Sequence, residues 1–567
     1  MKLFKKNNSQ HENVNMVNEE EIKGKNITLK EAKERGLRWG VAATPVIIFT
    51  TLIIIGVVNP EAFLTYLNAF FKALMINGGW LASLGCFFFV LFMIACIVCP
   101  FGRIRIGGKN AKPLYSTWNW FAISLCAGIG TGIMFWGAVE PLMMAVSPAP
   151  GMHLEPNSSE SVIWGLRTSF LHWSFTPYSI YMCFGVIIAF AYYNLKKPYN
   201  VSSGFTPLLG DKVTQSSKFC GIIDTLTVFA ISGGVAGSLG YGLLQVGGGI
   251  SSVMKIPTSA MLYVTICAVI VITYNISSVS GMDKGIKWLS DKNAWMFMVL
   301  MLAALLIGPT QYIFNLFTQA TGAYFNHFME AALWTNPFAD VGTCVGNLWT
   351  EASELWSQWW DQYWWVDWLS FGPITGLFLV KLMYGRTIRE VAMVNWVLPS
   401  AFAFIWFSIF GGLALDIQYN PAAYPQVDLE GCATLYDYMQ KFGNEYVMLK
   451  IIEVFPFATV IKIVVLLLVM LSFVTLADSM TSTISLMTIK NNVGVNEAPM
   501  QIKLCWGILM GATSLIFTLT GGLDGIKIVK TLAGFPILFI EAAMVICFII
   551  YIIKHGKDPE VKEMMID

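Results

Sequence analysis

Cys126-Ala127-Gly128-Ile129-Gly130-Thr131-Gly132-Ile133-Met134-Phe135-Trp136 lies in the middle of an apolar run that starts near Trp118. Glycine weakens a helix by roughly 0.5–1 kcal/mol relative to alanine, so three alternate glycines predict an unwound turn there. Inside a membrane, irregular backbone is tolerated where it lines a cavity, and transporters place substrate at such breaks. The same glycines also suit tight helix packing. A second interrupted run decides between the two readings. Phe371-Gly372-Pro373-Ile374-Thr375-Gly376 supplies a candidate, because Pro373 has no N–H for the carbonyl of Leu369.

The composition around these stretches is that of a membrane protein. Of 567 residues, 56% are hydrophobic, 14% aromatic and only 13% charged, and the mean hydropathy is +0.61. A soluble chain carries about 25% charged residues, so a soluble multidomain protein is excluded. Lys and Arg (36) nearly balance Asp and Glu (35), and no basic face points to nucleic acid. A span needs roughly 20 mostly apolar residues. Runs of that kind start near Val41, Leu81, Trp118, Val162, Ile222, Ala260, Trp295, Leu369, Val397, Ile452, Leu504 and Leu532. The expected fold is therefore all-α integral membrane with twelve transmembrane helices. Residues 1–38 are expected as a cytoplasmic tail, mainly disordered and helical near Thr28–Arg38, residues 39–553 as the transporter domain, and 554–567 as a short cytoplasmic tail.

Basic residues in short loops set the orientation. Arg103, Arg105, Lys109, Lys112, Lys196, Lys197, Lys212, Lys218, Lys284, Lys287, Lys292, Lys381, Arg386 and Arg389 fall on one side, which places both termini in the cytoplasm. The other side holds Lys72, Lys255, Lys441, Lys450, Lys527 and Lys530, and its long segment Phe314–Gln362 has five acids and no Lys or Arg. Gly281–Asn293 reads as an amphipathic helix along the cytoplasmic face. Trp334, Trp349, Trp356, Trp359 and Trp360 read as anchors at the outer lipid–water boundary. Cys344 and Cys432 share that outer side, where a disulfide is conceivable; the remaining cysteines read as small core residues.

The two interrupted runs are the third and eighth spans. Spans three to seven and eight to twelve then form two five-helix halves, which in broken-helix transporters are inverted repeats. Beside these breaks lie two aromatic faces. At about 100° per residue, Tyr181 lies about 80° from Trp173 and about 60° from Tyr178. In the eighth span Trp365 and Phe371 each lie about 60° from Trp368. Such faces enclose a cation, with attraction of about 0.5–1 kcal/mol when exposed and 2 or more when desolvated. A quaternary ammonium suits them best, having no donors to leave unpaired. Ordinary aromatic packing is the alternative.

Gly-x-Gly-x-Gly with Met134-Phe135 and Glu140-Pro141, His172-Trp173, the eighth-span tryptophans, Ser280-Gly281 with Lys284-Gly285-Ile286, Gly385-Arg386-Thr387-Ile388-Arg389-Glu390 and Ala477-Asp478-Ser479 together resemble the betaine/choline/carnitine transporter family. The resemblance runs from about Arg38 to Lys554. It implies the twelve-helix, LeuT-like fold with inverted repeats, alternating access in the plasma membrane, a homotrimer, and substrates bearing a trimethylammonium group. Carried over by position, the cage is Trp173, Tyr178, Tyr181, Trp365, Trp368 and Phe371, with Gly128, Gly130 and Gly132 offering backbone to the substrate carboxylate.

Asp367 departs from the family, which usually has tryptophan there. An intramembrane carboxylate is a functional candidate, as an attraction for a cationic substrate or as a protonation site. A satisfied carboxylate near Asp361, where water reaches, is the structural alternative. The resemblance also bears on coupling. With Ser238-Leu239-Gly240 setting the register, the sodium-ligand positions of the fifth span are Ile231 and Val235, which have no side-chain oxygen. In the tenth, Thr475 remains but Leu476 replaces serine. This depletion resembles the sodium-independent carnitine/γ-butyrobetaine antiporter, whereas Ser232, Ser238 and Thr475 keep a sodium-coupled symporter open. No cofactor is expected. The five histidines have no metal-ligand spacing and no phosphate-binding GxxxxGK[ST] occurs, so neither an enzyme nor an ATP-driven pump is indicated. The short mixed tail after Lys554 lacks the long basic extension of the family's osmotic sensors.

Overall fold

The computed structural model describes residues 26–129, 132–214, 217–279, 283–336, 356–490, 492, 495 and 497–566. About 82% of the described residues are helical. The principal helices are α1 (Trp39–Val58), α2 (Pro60–Val98), α3 (Thr117–Ile129), α4 (Gly132–Val146), α5 (Ser159–Trp173), α6 (Phe175–Ala189) and α7 (Ser217–Met254). They continue with α8 (Ala260–Val279), α9 (Asp283–Ile307), α10 (Thr310–Ala332), α11 (Asp361–Val380), α12 (Leu398–Tyr419), α13 (Ala458–Met487) and α14 (Met500–His555). Before them, Leu29–Arg35 forms a short helix closed by a capping box of Thr28 and Glu31.

Among the described residues seven helices are long and apolar enough to cross a membrane, or eight with the bent pair Lys292–Ile307 and Thr310–Ala332 taken as one. Uninterrupted apolar length is what interruptions remove. In the third run α3 is described to Ile129 and α4 from Gly132, and Gly130-Thr131, where the break is expected, lie outside the described residues. In the opposite sense, α14 joins two runs of the sequence across Gly522, whose φ of 52° and ψ of −133° break the helix without a loop. Gly281–Asn293 is likewise no separate surface helix, since from Asp283 it is the start of α9.

The fourth run is broken at Ser174, three residues before Pro177. Ser174 takes φ −122° and ψ −119° between α5 and α6. Pro177 cannot donate to the carbonyl of Trp173, and the Ser174 hydroxyl donates to the carbonyl of Phe170 at 2.5 Å. The carbonyl of Phe175 accepts the indole N–H of Trp396 at 2.7 Å.

The expected break in the eighth span is absent: α11 runs unbroken through Pro373. Its glycines serve close approach instead. A Cβ on Gly376 would lie 2.5 Å from Cβ of Phe184, and one on Gly372 2.9 Å from Ile180. From the other side Gly534 of α14 meets the carbonyl of Val366, where a Cβ would come within 2.0 Å. α11 is thus the central helix, held between α6 and α14 with all but one of its residues buried.

The basic-residue pattern needs one correction. Lys450, Lys527 and Lys530 are buried, at 2%, 1% and 3% exposure, and are not loop residues facing water. Their removal leaves the less basic side poorer still. Trp356 and Trp360, read as lipid anchors, turn inward as a ladder: Trp356 contacts Trp164 and Trp334 at 5.5 Å, and Trp360 contacts Trp136 at 5.8 Å between ring centroids. Trp349 and Cys344 lie outside the described residues, and with Cys344 the pairing with Cys432.

Candidate functional site

The break at Ser174 aims three aromatic side chains of α5 and α6 at one tryptophan of α11. Ring centroids of Trp173, Tyr181 and Tyr178 lie 5.1, 5.6 and 6.5 Å from that of Trp368. Tyr178 and Tyr181 meet edge to face at 6.2 Å. All four are buried. Trp364, not among the six rings expected in the cage, closes the group at 4.9 Å from Trp173, and Phe407 of α12 lies at 5.5 Å. Gly132 of α4 lies against the same indole, where a Cβ would come 2.8 Å from Trp173. Only glycine allows that approach.

Two of the six rings expected in the cage stand elsewhere. Trp365 faces His172 at 5.7 Å, and Phe371 lies under the ammonium of Lys530, with Nζ 5.0 Å from its centroid. Both lie about 60° around α11 from Trp368 but in opposite directions, so one helix cannot present all three to one point. Gly128 is in α3, Gly130 lies outside the described residues, and so does the side chain of Thr475.

The indoles of the group are fixed by hydrogen bonds. Trp173 donates to Glu140 Oε2 at 2.7 Å, and Trp368 donates to the carbonyl of His172 at 3.0 Å. His172 lies between two carboxylates, its Nδ1 against Glu140 Oε1 and its Nε2 2.7 Å from Asp361 Oδ1. A neutral imidazole has one N–H, so both contacts are hydrogen bonds only when the unit Glu140–His172–Asp361 holds an extra proton. Glu140 and His172 stood out in the sequence only as parts of motifs, and Asp361 as a carboxylate that water reaches, whereas it is buried; His172 and Asp361 are 189 positions apart. Two polar atoms at the rings, the hydroxyl of Tyr178 and the indole N–H of Trp364, are buried with no protein partner among the described residues.

Asp367 is satisfied, though deep in the bundle and not at a wet mouth. It pairs with Lys530 at 2.6 Å and accepts the hydroxyl of Tyr363 at 2.5 Å, which in turn contacts the Tyr241 hydroxyl at 2.7 Å. Room for the lysine stem comes from Gly237 of α7, where a Cβ would lie 2.2 Å from Lys530 Cγ. One turn earlier, Lys527 Nζ sits 4.3 Å from the centroid of Trp360, 4.8 Å from Tyr363, 5.0 Å from Trp359 and 5.7 Å from Trp136. The protein thus holds one of its own cations against four rings, next to the first aromatic group through Trp136 and Trp364, 5.4 Å apart. Among the described residues no three His, Cys, Asp or Glu side chains form a metal site.

Apolar helices packed around a buried aromatic site at the Ser174 break define a multi-pass membrane transporter. The profile of the betaine/carnitine/choline family transporters matches residues 40–557, and the chain belongs to that family. It is 30% identical over 511 residues to the ectoine/hydroxyectoine transporter of Virgibacillus pantothenticus, covering 90% of this chain and 95% of that one. It is 30% identical over 491 residues to a glycine betaine transporter of Bacillus subtilis, covering 86% and 90%. A betaine/ectoine transporter of Corynebacterium glutamicum is 28% identical over 517 residues, covering 90% and 76%. The family consists of transporters, and this chain is a transporter and not an enzyme.

Proposed function

We propose that this chain carries a small methylated-ammonium zwitterion, of betaine or carnitine type, across the plasma membrane by alternating access. The observation behind this reading is the buried meeting of Trp173, Tyr178, Tyr181 and Trp368 at the Ser174 break. Four π faces attract a cation without supplying acceptors, which suits an onium group that has no N–H. Gly132, whose missing side chain brings its backbone against Trp173, is the position we assign to the substrate carboxylate. The unpartnered Tyr178 hydroxyl is a further polar contact for it. The relatives' names, glycine betaine and ectoine, describe zwitterions with a dispersed positive charge.

The architecture proposed with this function has twelve spans, both termini in the cytoplasm, a homotrimer, and spans three to seven and eight to twelve as inverted repeats. The repeat relation rests on the family, since α11 itself has no break. For coupling we assign exchange of one substrate for another without sodium. Ile231 and Val235 are fully buried and bring no oxygen. The Lys530 ammonium fills space between α7 and α11, 4.9 Å from the ring of Tyr241. Ser232 and Ser238 put hydroxyls on the same helix, which keeps sodium symport as the second reading. Proteoliposomes preloaded with betaine and held free of sodium separate the two. Exchange takes up labelled betaine there and only there; symport needs an inward sodium gradient and works into empty vesicles.

A further inference from the structure

At the Lys-rich end of the bundle, away from the aromatic site, a cavity of about 1150 Å³ opens between the start of α1, the loop after α6, the start of α7 and the end of α13. Its floor is neutral. The Arg38 guanidinium pairs with Asp224 at 2.6 Å and also donates to the carbonyl of Met487 at 3.1 Å. Asp224 accepts further bonds from the backbone and hydroxyl of Ser202 at 3.1 and 3.0 Å. That charge is therefore spent within the protein.

The rim is different. Lys196, Lys218 and Lys490 line it, all three exposed, and among the described residues no acidic side chain lines the cavity. Among the described residues none of the three has an acid within ion-pair distance. Three like charges held around one cavity repel unless an anion joins them. The hydroxyls of Ser203 and Thr225 line the same space.

The mouth indicates which kind of anion. Trp39, 70% exposed, and Ile222, 63% exposed, flank it where polar loop gives way to apolar helix. Only 22% of the apolar window of α1 is buried in the protein, so that helix runs uncovered from the mouth into the bilayer. An exposed indole at such a boundary marks headgroup depth, and basic pockets between helices at that depth hold lipid phosphates. A soluble phosphate would use the lysines but not the apolar lip.

We propose that this pocket binds the phosphodiester headgroup of an anionic glycerophospholipid, its acyl chains lying along α1 and α7. The proposal rests on membrane insertion and is independent of what the aromatic site carries. Delipidated full-length protein in detergent is titrated with phosphatidylglycerol, phosphatidylcholine or soluble glycerol phosphate, read by thermal shift and native mass spectrometry. The expected result is saturable retention of phosphatidylglycerol that weakens on the order of 10- to 100-fold in the triple variant Lys196→Gln/Lys218→Gln/Lys490→Gln. The three side chains are exposed, so the lipid-free melting temperature of that variant is expected to match the parent. Equal retention of phosphatidylcholine, or unchanged affinity in the triple variant, overturns the proposal. Glycerol phosphate binding as tightly as the lipid overturns it too, making the pocket a site for soluble phosphates.

Discussion

Asp367 and Lys530 form an ion pair at 2.6 Å between the central helix α11 and the second arm of α14, with both side chains closed off from solvent. Asp367 immediately precedes Trp368, so the pair fixes the helix that presents the key indole of the aromatic site. Taking one member away leaves an uncompensated buried charge, at a cost of about 3–5 kcal/mol. Removing both leaves a neutral contact that the Tyr363 hydroxyl still satisfies. Asp367→Asn and Lys530→Met are each expected to lower the melting temperature of purified protein sharply, and the double variant to regain most of the loss. Additive losses would mean the two groups act separately.

Lys527 has the opposite character. Its ammonium faces four rings and, among the described residues, forms no ion pair. Cation–π attraction returns about 2 kcal/mol, less than the several kcal/mol of desolvating an ammonium. Lys527→Met keeps the stem and removes the charge. We expect an equal or higher melting temperature, whereas a fall of more than a few degrees would show that the charge stabilises the fold.

Glu140 positions Trp173 through the bond from its indole N–H. Glu140→Ala is expected to weaken substrate binding roughly tenfold, about 1.4 kcal/mol, in equilibrium titration. Glu140→Gln, which retains an acceptor, should recover much of that. Identical affinities for the two variants would mean the hydrogen bond does not orient the ring.

The glycines separate binding from packing. Gly132→Ala drives a methyl into Trp173 and is expected to raise the substrate Kd with modest loss of stability. Gly376→Ala drives one into the backbone of α6 at Gly185, 3.0 Å from its nitrogen, and should destabilise by about 1–3 kcal/mol without a specific change in affinity. Thermal melts and binding titrations on both variants check the assignment; a reversed pattern contradicts it.

Hydropathy and the helical period carried most of the fold and the convergence of Trp173, Tyr178, Tyr181 and Trp368, because a buried apolar face obeys the same 3.6-residue repeat wherever it packs. The misreadings have local causes. Lys527 and Lys530 follow Gly521-Gly522-Leu523-Asp524-Gly525, which has the composition of a loop. The chain spends only Gly522 on the turn, so both lysines fall one helical turn apart on an inward face. Their partner Asp367 is 163 positions away, and no local pattern foretells it. Gly372 and Pro373 looked like a break, yet the facing side chains of Ile180 and Phe184 use the missing side-chain volume instead. Trp364 and Trp365 differ by one position and about 100°, and the neighbouring helix alone decides which of them joins the group.

The central claim is that buried π faces recognise positive charge and not merely methyl groups. Its most direct test is the affinity of purified protein for glycine betaine against 3,3-dimethylbutyrate, the same shape with carbon in place of the ammonium nitrogen. The account predicts at least a tenfold preference for betaine in the parent, about 1.4 kcal/mol, and its near disappearance in Trp368→Ala. Equal binding of the two compounds by the parent, or an undiminished preference in the variant, would contradict it.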